Sequence, residues 1–455
     1  MVESAVAGLD NSILIDDLSF KLRPGSNYVQ ERKSVSFFAS GSNEYTPSGT
    51  KLIKLVISSE GWLDGSTLRI LFDVNNTAQD TTTASGTAQP KAAKLLRPLS
   101  GGHSFFQRVR ILCGGTIVED ISDYNRVAEM FTTLISKDSK INIDAEAFGF
   151  DPFSYKTSTT DNSATTPFPG IHGGKSQTIL FTPLSGLLSQ GKYIPLRYAP
   201  ITLELELCKD KTDPFVYIGT STIFTSSNTS NDWSLSNVQA KCDLLVLDNE
   251  LENGYTQLLM SGKTMPINYS TYISQYQTVL AQRNVRINVA RSLSRLKSVF
   301  VSFNKNNLPE SSIYKAFNSF YSPMFEDSTS QIFGNEKEMQ FSIQLGAKQY
   351  PEHPIRSHSE AFYQLKKCLG IQASNVHSFN ITGQEYRRRK FILGIDTETI
   401  LSSAFSGRNT RSGELLNIQF DLLSADVTTY PTDMYIVLHS DNVMEIGDSG
   451  VRVYD

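Results

Sequence analysis

Cysteine is scarce in this chain: four in 455 residues, at Cys113, Cys208, Cys242 and Cys368. None stands in C-x-x-C spacing and each lies beside apolar residues, which excludes a disulfide framework or a thiolate zinc cluster and reads as buried free thiols in a reducing compartment. Long apolar runs are also missing. No stretch approaches the roughly 20 residues of a membrane-spanning helix, and the N-terminal MVESAVAGLDNSILIDD lacks the basic start and apolar core of a secretory signal. Synthesis in a cytoplasm is therefore expected, and the sequons at Asn75, Asn228, Asn268 and Asn380 carry little meaning. Charge of one sign is not in excess: the formal net charge is −4, so no global basic field advertises nucleic-acid binding.

What is abundant is aromatic and hydroxylic: 26 Phe and 19 Tyr beside many Ser, Thr and Asn, a balance that favours strands over helical bundles. The chain is organised around Phe105–Ile135. Val109, Ile111 and Cys113 alternate as in a half-buried strand, Gly114-Gly115 supplies a turn, and Thr116–Val118 returns. Then Val127, Met130, Phe131, Leu134 and Ile135 mark one helical face, with Ser122 as the expected N-cap and Asp123 in the first turn. The same order recurs in Met339–Gly370: Phe341, Ile343 and Leu345 alternate into Gly346, Ser357-x-x-Glu360 reads as a capping box, Phe362, Leu365 and Leu369 continue a helix, and Gly370 stops it. Gly115/Gly346, Glu129/Glu360, Phe131/Phe362 and Leu134/Leu365 share an offset of 231, although the strands then slip by one in parity. The shared order of elements predicts an internal duplication.

Along the chain, residues 1–48 read as an N-terminal arm and lead-in strand, 49–250 as a first jelly roll and 251–455 as a second. Strands are expected at Lys51–Ile57, Thr67–Val74, Thr178–Phe181, Ile201–Leu207 and Leu244–Leu247, then at Tyr276–Leu280, Val285–Val289, Leu296–Phe303, Lys390–Leu393, Leu416–Leu422 and Tyr435–Leu438. Polar loops at 75–94, 137–177 and 210–237 interrupt the first half, and 251–262 reads as a short helical linker. Strands without regular intervening helices argue against a parallel sheet, so the expected fold is all-β: two tandem antiparallel jelly-roll sandwiches, each with one short helix and decorated loops.

Chemistry finds little foothold. Gly170–Ser176 (GIHGGKS) has Pro169 where a P-loop needs its first glycine, and follows no buried strand. His353 and His358 flank Pro354 without further metal ligands, and His103 beside Gly101-Gly102 reads as a loop residue. Arg387–Lys390 is the one strong basic run; its place before Phe391-Ile392-Leu393 suggests entry into a strand, with salt bridges favoured over DNA contact. Asp16-Asp17 and Glu119-Asp120 are chain neighbours and do not make a glycosidase pair, and no G-x-S-x-G elbow is present. Expected are no catalytic residue, no cofactor and no metal. Trp62 and Trp233, near loops, keep open the alternative of a two-domain glycan-binding lectin, and a β-rich hydrolase stands as a third reading.

The stretches SGGHSFFQRVRILCGGTIVEDISDYNRVAEMF (Ser100–Phe131), MSGKTMPINYSTYISQ (Met260–Gln275), KQYPEHPIRSHSEAFYQL (Lys348–Leu365) and GDSGVRVYD (Gly447–Asp455) resemble the double jelly-roll major capsid proteins of double-stranded DNA viruses. This is the adenovirus and tectivirus type of lineage, and the likeness is to its Polinton-like and related small eukaryotic members. Ser261-Gly262-Lys263 followed by Pro266-Ile267-Asn268-Tyr269 is the most suggestive part, and the likeness runs from about Val35 onward. The resemblance implies two upright jelly rolls per chain, a homotrimer with a pseudo-hexagonal footprint, and an icosahedral shell. It further implies contacts with neighbouring capsomers, penton and minor capsid proteins, no sequence-specific nucleic acid, no membrane-spanning segment, and residence in the virion. The N-terminal arm is expected to order against neighbours or minor proteins inside the shell.

Overall fold

The computed structural model describes residues 28–79, 94–135, 170–215, 229–279, 284–304, 318–324, 339–370, 381–400, 406–411, 415–422 and 431–455. Asp16-Asp17, the sequons at Asn228 and Asn380, and most of the three polar loops lie outside them. The strands of the first half are β1 (Val29–Ser40), β2 (Glu44–Tyr45), β3 (Leu52–Ile57), β4 (Trp62–Asn76), β5 (Phe106–Cys113), β6 (Thr116–Ser122), β7 (Ser176–Phe181), β8 (Ile194–Pro195), β9 (Ile201–Leu207) and β10 (Trp233–Leu247). Those of the second are β11 (Met265–Thr278), β12 (Asn284–Val289), β13 (Leu296–Asn304), β14 (Met339–Leu345), β15 (Lys348–Ile355), β16 (Ile392–Asp396), β17 (Leu416–Leu422), β18 (Asp433–Gly447) and β19 (Gly450–Tyr454). The helices are α1 (Tyr124–Thr133), α2 (Gly186–Ser189), α3 (Asn249–Met260), α4 (His358–Cys368) and α5 (Gly383–Arg388).

In the second half β11-β18-β13-β16 forms one sheet and β12-β17-β14-β15 the other. The first half repeats both orders as β1-β10-β4-β7 and β3-β9-β5-β6, joined into one surface where Ala39 and Ser40 of β1 pair with Leu55 and Lys54 of β3. Setting aside the two-residue strands and β19, the eight described strands of each half are arranged identically: first-eighth-third-sixth and second-seventh-fourth-fifth. All these ladders are antiparallel, and the arrangement is a jelly roll made twice.

The sequence dictates this through its period of two. Along β9 the residues Ile201, Leu203, Leu205 and Leu207 are all buried, while the alternating Thr202, Glu204 and Glu206 are half-buried on the other face. In the first core Phe72 is met edge-on by Phe105, Phe106 and Phe181, with ring centroids 5.5, 5.6 and 6.0 Å away. In the second, Phe303 lies between Phe391 and Phe420 at 6.4 and 5.7 Å. Such ring pairs add about 0.5–1.5 kcal/mol each beyond burial itself.

Several local expectations need correction. Ser122 ends β6 and does not cap α1; the N-cap is Asp123, in the left-handed region (φ 47°, ψ 39°), and its carboxylate accepts from Gln107 Nε2 at 2.7 Å instead of from the helix. Ser122 is held in the strand by pairing with Arg108. The two hairpins match at an offset of 232, since Cys113 and Leu345 both end their strands and Gly114 and Gly346 both open the turns. That restores the parity that 231 broke: Val109, Ile111 and Cys113 are buried like Phe341, Ile343 and Leu345. The Ser357 hydroxyl does accept from Glu360 N–H at 3.2 Å, but the Glu360 carboxylate takes the N–H of Arg356 rather than that of the cap. A full capping box exists at Thr382 and Glu385, where the sequence carries the T-x-x-E pattern. Residues 387–390 do not enter a strand: Arg387 and Arg388 form the last turn of α5, where cations suit the helix dipole, and β16 begins only at Ile392. Trp233–Asn237, placed in a polar loop, belongs to β10, and the strand expected at Tyr276–Leu280 starts at Met265. In both cases alternate residues of the added stretch, Trp233 and Leu235 or Ile267 and Tyr269, are buried in the core, while the polar residues between them mask the period.

Candidate functional site: the seam between the two jelly rolls

The organising hairpin and helix, β5–β6 and α1, lie between the two sandwiches. β6 is an edge strand, and its carbonyls would be open to pairing with other chains. Hydroxyls of β11 meet them instead. Tyr269 donates to the Val118 carbonyl at 2.9 Å and Ser274 donates to that of Ser122. In turn Thr116 donates to the carbonyl of Val451 in β19 at 3.1 Å. Beside this polar row α1 lays its face on the outer surface of the β11-β18-β13 sheet. The ring of Phe131 sits 4.6 Å from Tyr272 and 5.2 Å from Phe300, and the Arg126 guanidinium lies over Tyr435 at 4.9 Å. An aromatic helix face on an aromatic sheet exterior, framed by hydrogen bonds, has the anatomy of a permanent interface.

Glu119 is at the centre. It projects from β6 and is 2% exposed, accepting from the Ser185 hydroxyl, from Gly186 N–H at 3.0 Å and from Leu187 N–H at 3.3 Å. Burial raises its pKa above the ordinary carboxylate range, and those donors pull it back in part. It therefore serves as the anchor for the first turn of α2, whose Gly186 in turn abuts Ser270 of β11. Asp120, its neighbour on the opposite face, makes a paired contact with Arg108 at 2.7 and 2.6 Å, half-exposed. Burial raises the pKa of Asp123 and Arg126 opposes the shift. Burial also pushes Cys113 up to about 12, with Glu119 adding to it, so this thiol is protonated and inert.

His439 stacks on Tyr272 with ring centroids 5.0 Å apart, so it supports the sheet surface on which α1 rests. Burial first, and the charge of Lys297 second, depress its pKa from 6.5 to about 4. A depressed base contributes stability that is fully present above pH 6.5 and is lost as pH falls through about 4. The linked free energy is on the order of 3 kcal/mol. Calorimetric melting of the wild type is expected to drop more steeply across that window than melting of His439→Phe; parallel profiles would contradict the assignment.

The other residues singled out by the sequence are dispersed. Within Gly170–Ser176 the N–H groups of Ile171, Gly174 and Lys175 donate to Leu96, Asn76 and His172 carbonyls, so the loop is a turn tied to the first sandwich. His353 is exposed on β15, whereas His358 is buried, its Nε2 2.7 Å from Ser322 Oγ. The pair is divided between solvent and core. His103 was read as a loop residue, yet it is buried with Nε2 2.8 Å from Glu129 Oε2, and the Ser100 hydroxyl donates to the same oxygen. Nothing in the sequence links these positions, 26 and 29 residues apart. The Ser100 Oγ also lies 3.4 Å from His103 Nε2, so all three side chains meet, with the shorter serine contact made to the Glu129 carboxylate. The trio fastens the 102–105 turn to α1. Lys390 pairs with Glu385 at 3.5 Å. Both tryptophans are inside: Trp62 is 7% exposed and donates to Glu252, Trp233 is 3% exposed and donates to the Lys211 carbonyl. They offer no stacking platform to a sugar. All four cysteines are free.

No family model matches the sequence, and no curated protein matches it either. Solved structures do match in fold. PBCV-1 VP54, from a crystal structure fitted into a reconstruction of the virophage Sputnik, gives a TM-score of 0.61 at 12% identity, covering 95% of this chain and 98% of that one. The Faustovirus major capsid protein gives 0.57 at 9%, covering 98% and 96%. The Sputnik virophage structure gives 0.54 at 9%, covering 97% and 92%. At such identities the likeness is one of architecture, and it extends over nearly the whole of each chain: this protein has the double jelly-roll fold of the viral major capsid proteins.

Proposed function

We propose that this chain is a structural major capsid protein, not an enzyme, that trimerises into pseudo-hexameric capsomers and so builds the icosahedral shell of a double-stranded DNA virus. One observation carries the trimer. Within the chain, the β6–α1 flank of the first sandwich docks on the outer face of the first-eighth-third strands of the second, β11-β18-β13. The second sandwich has the same flank, β15 and α4, and there Lys348, Gln349, Glu352 and His353 are exposed and Tyr363 is 55% exposed. The first sandwich has the same receiving face, β1-β10-β4, with Arg32 and Ser34 exposed and Phe38 66% exposed. Among the described residues, each half of one contact is thus used once and left open once per chain. A head-to-tail contact passed on from sandwich to sandwich closes as a ring of six units when three chains each contribute two.

On this reading residues 49–250 and 251–455 are the two jelly rolls, and β1 is the lead-in strand that completes the first. Penton and minor capsid proteins are its further partners, and it resides in the virion after synthesis in the host cytoplasm. Electron microscopy of the expressed protein tests the function: hexagonal capsomers or closed shells are expected, and a dispersed monomer that binds glycans would favour the lectin instead. Tyr363→Asp places a charge at the centre of the open flank. It is expected to leave a folded chain of 50.6 kDa that no longer trimerises; sedimentation at the trimer mass would remove this flank from the interface.

A further inference from the structure

Across the outer face of the sheet β3-β9-β5-β6 the side chains fall into rows. Register sets Val56, Thr202, Leu112 and Ile117 side by side over the four strands, with Val56 44% and Ile117 47% exposed. The next row is Lys54, Glu204, Arg110 and Asp120, and the one after it Leu52, Glu206, Arg108 and Ser122. Within the chain Arg110 meets Glu204 at 2.9 Å and Arg108 meets Asp120 at 2.6 Å, surface pairs that leave these charges able to meet others. In the second sandwich the duplicate of the apolar row is polar. At the same offset of 232, Val56, Leu112 and Ile117 correspond to Asn288, Gln344 and Gln349, which register lines up with Asn417 across β12-β17-β14-β15. There Gln419 donates to Gln344 at 2.7 Å, one amide satisfying another. The fold accepts amides at this row, so the contiguous apolar side chains of the first copy mark a contact surface and not a need of the sandwich.

The order of charges names the partner. Across the strands the middle row runs plus, minus, plus, minus. A twofold axis parallel to the strands lays this face on its own copy with each row reversed. Lys54 then meets the partner's Asp120, Glu204 the partner's Arg110, and Glu206 the partner's Arg108. The apolar rows close on each other, Val56 on the partner's Ile117 and Leu112 on the partner's Thr202. An axis along the rows would instead set Lys54 and Glu204 each against its own like charge. We propose that this face binds the same face of a second copy of the chain about a twofold axis parallel to the strands. Four strands about 4.8 Å apart and three rows about 7 Å apart make a patch roughly 15 Å on a side. That is well below the roughly 800 Å² per partner of a stable dimer, so the contact is weak by itself and forms where chains are concentrated or already assembled. The inference stands on this face alone and does not rest on the capsid reading.

Cysteine cross-linking of the full chain at high concentration tests it. Val56→Cys with Ile117→Cys places two thiol pairs across the axis. Within one chain these positions are three strands apart, about 14 Å, too far for a disulfide, so any bridge joins two chains. Under mild oxidation the double variant is expected to give at least about tenfold more linked two-chain species than either single variant, whose thiol faces no thiol across the axis. Equal yields from single and double variants, or no linked species, would overturn the proposal. A second measurement reads the charges. Arg110→Glu, added to the double-cysteine protein, sets like charge against Glu204 on both sides of the axis and is expected to lower the yield about tenfold, with recovery when Glu204→Arg is added as well. A yield indifferent to Arg110→Glu would overturn the twofold arrangement.

Discussion

Gly186→Ala is expected to break the seam. A Cβ on Gly186 would stand 1.4 Å from the Ser270 carbonyl oxygen and 2.6 Å from its carbon, so backbone must move against backbone. Overpacking against flexible side chains costs about 1–3 kcal/mol and more where nothing can yield, and here the obstructing group is β11 itself, tied to β18 from Met265 to Thr278. We expect a loss of about 3 kcal/mol or more. Because the two sandwiches are joined at this point, calorimetry should resolve two unfolding transitions where one coupled transition is expected of the wild type. A single transition within a degree or so of the wild type would mean that α2 and β11 do not share a rigid contact. The conformation of Gly186 does not demand glycine; only the closeness of the second sandwich does.

Glu119→Ala carries the second large effect. It strips the Ser185 hydroxyl and the Gly186 and Leu187 N–H groups of their acceptor at a site without access to water. Each unsatisfied buried donor costs about 1–3 kcal/mol, so a combined loss of about 3–5 kcal/mol is expected. Glu119→Gln keeps one acceptor oxygen and should lose less. The pH dependence has a definite sign. With the folded pKa raised above 4.5, the contribution of Glu119 is fully present below 4.5 and declines as pH rises through the folded value. The stability of the wild type relative to Glu119→Gln should therefore fall as pH rises. Chemical denaturation of both proteins at several pH values measures this, and a constant difference would show that Glu119 does not titrate in the folded seam.

These two residues show what the sequence displayed and what it withheld. Alternation in Ile201–Leu207 and in Phe341–Leu345, the glycine turns and the repeated hairpin-helix order were enough to read a duplicated all-β chain. Those signals are local, set by a period of two, by positive φ and by helix capping. The seam is not local. Glu119 looks like half of an acidic dipeptide until it is placed beside residues 185–187, and Gly186 carries no mark that Ser270 will press against it. His103 is unremarkable until α1 brings Glu129 to it. The offset of 231 misled for a related reason: it fitted identical letters, whereas the hairpins align by strand ends at 232 and the helices by their caps, Asp123 and Ser357. Burial and pairing fix equivalence between repeats more tightly than residue identity does.

The seam also explains the difference between the two halves of the repeat. β6 is covered, and its exposed carbonyls are met by hydroxyls from β11; β15, in the same place in the second sandwich, carries Pro351 and Pro354, residues that blunt an edge against indiscriminate pairing. The outer face of β11-β18-β13 is aromatic where the first sandwich docks, while that of β1-β10-β4 carries Arg32 bound to Asp243 at 2.8 Å and to Asp64 at 3.5 Å. In the proposed trimer, a permanent contact within the chain and a separable one between chains call for these two compositions.

Native mass measurement of the purified chain, with two-dimensional averages of the same sample, decides whether the chain forms the trimeric capsomer. A particle of three times 50.6 kDa is expected, its projection showing six lobes of similar size with threefold symmetry. A stable single chain, or a dimer related by a twofold axis through the β15–α4 flank, would contradict it.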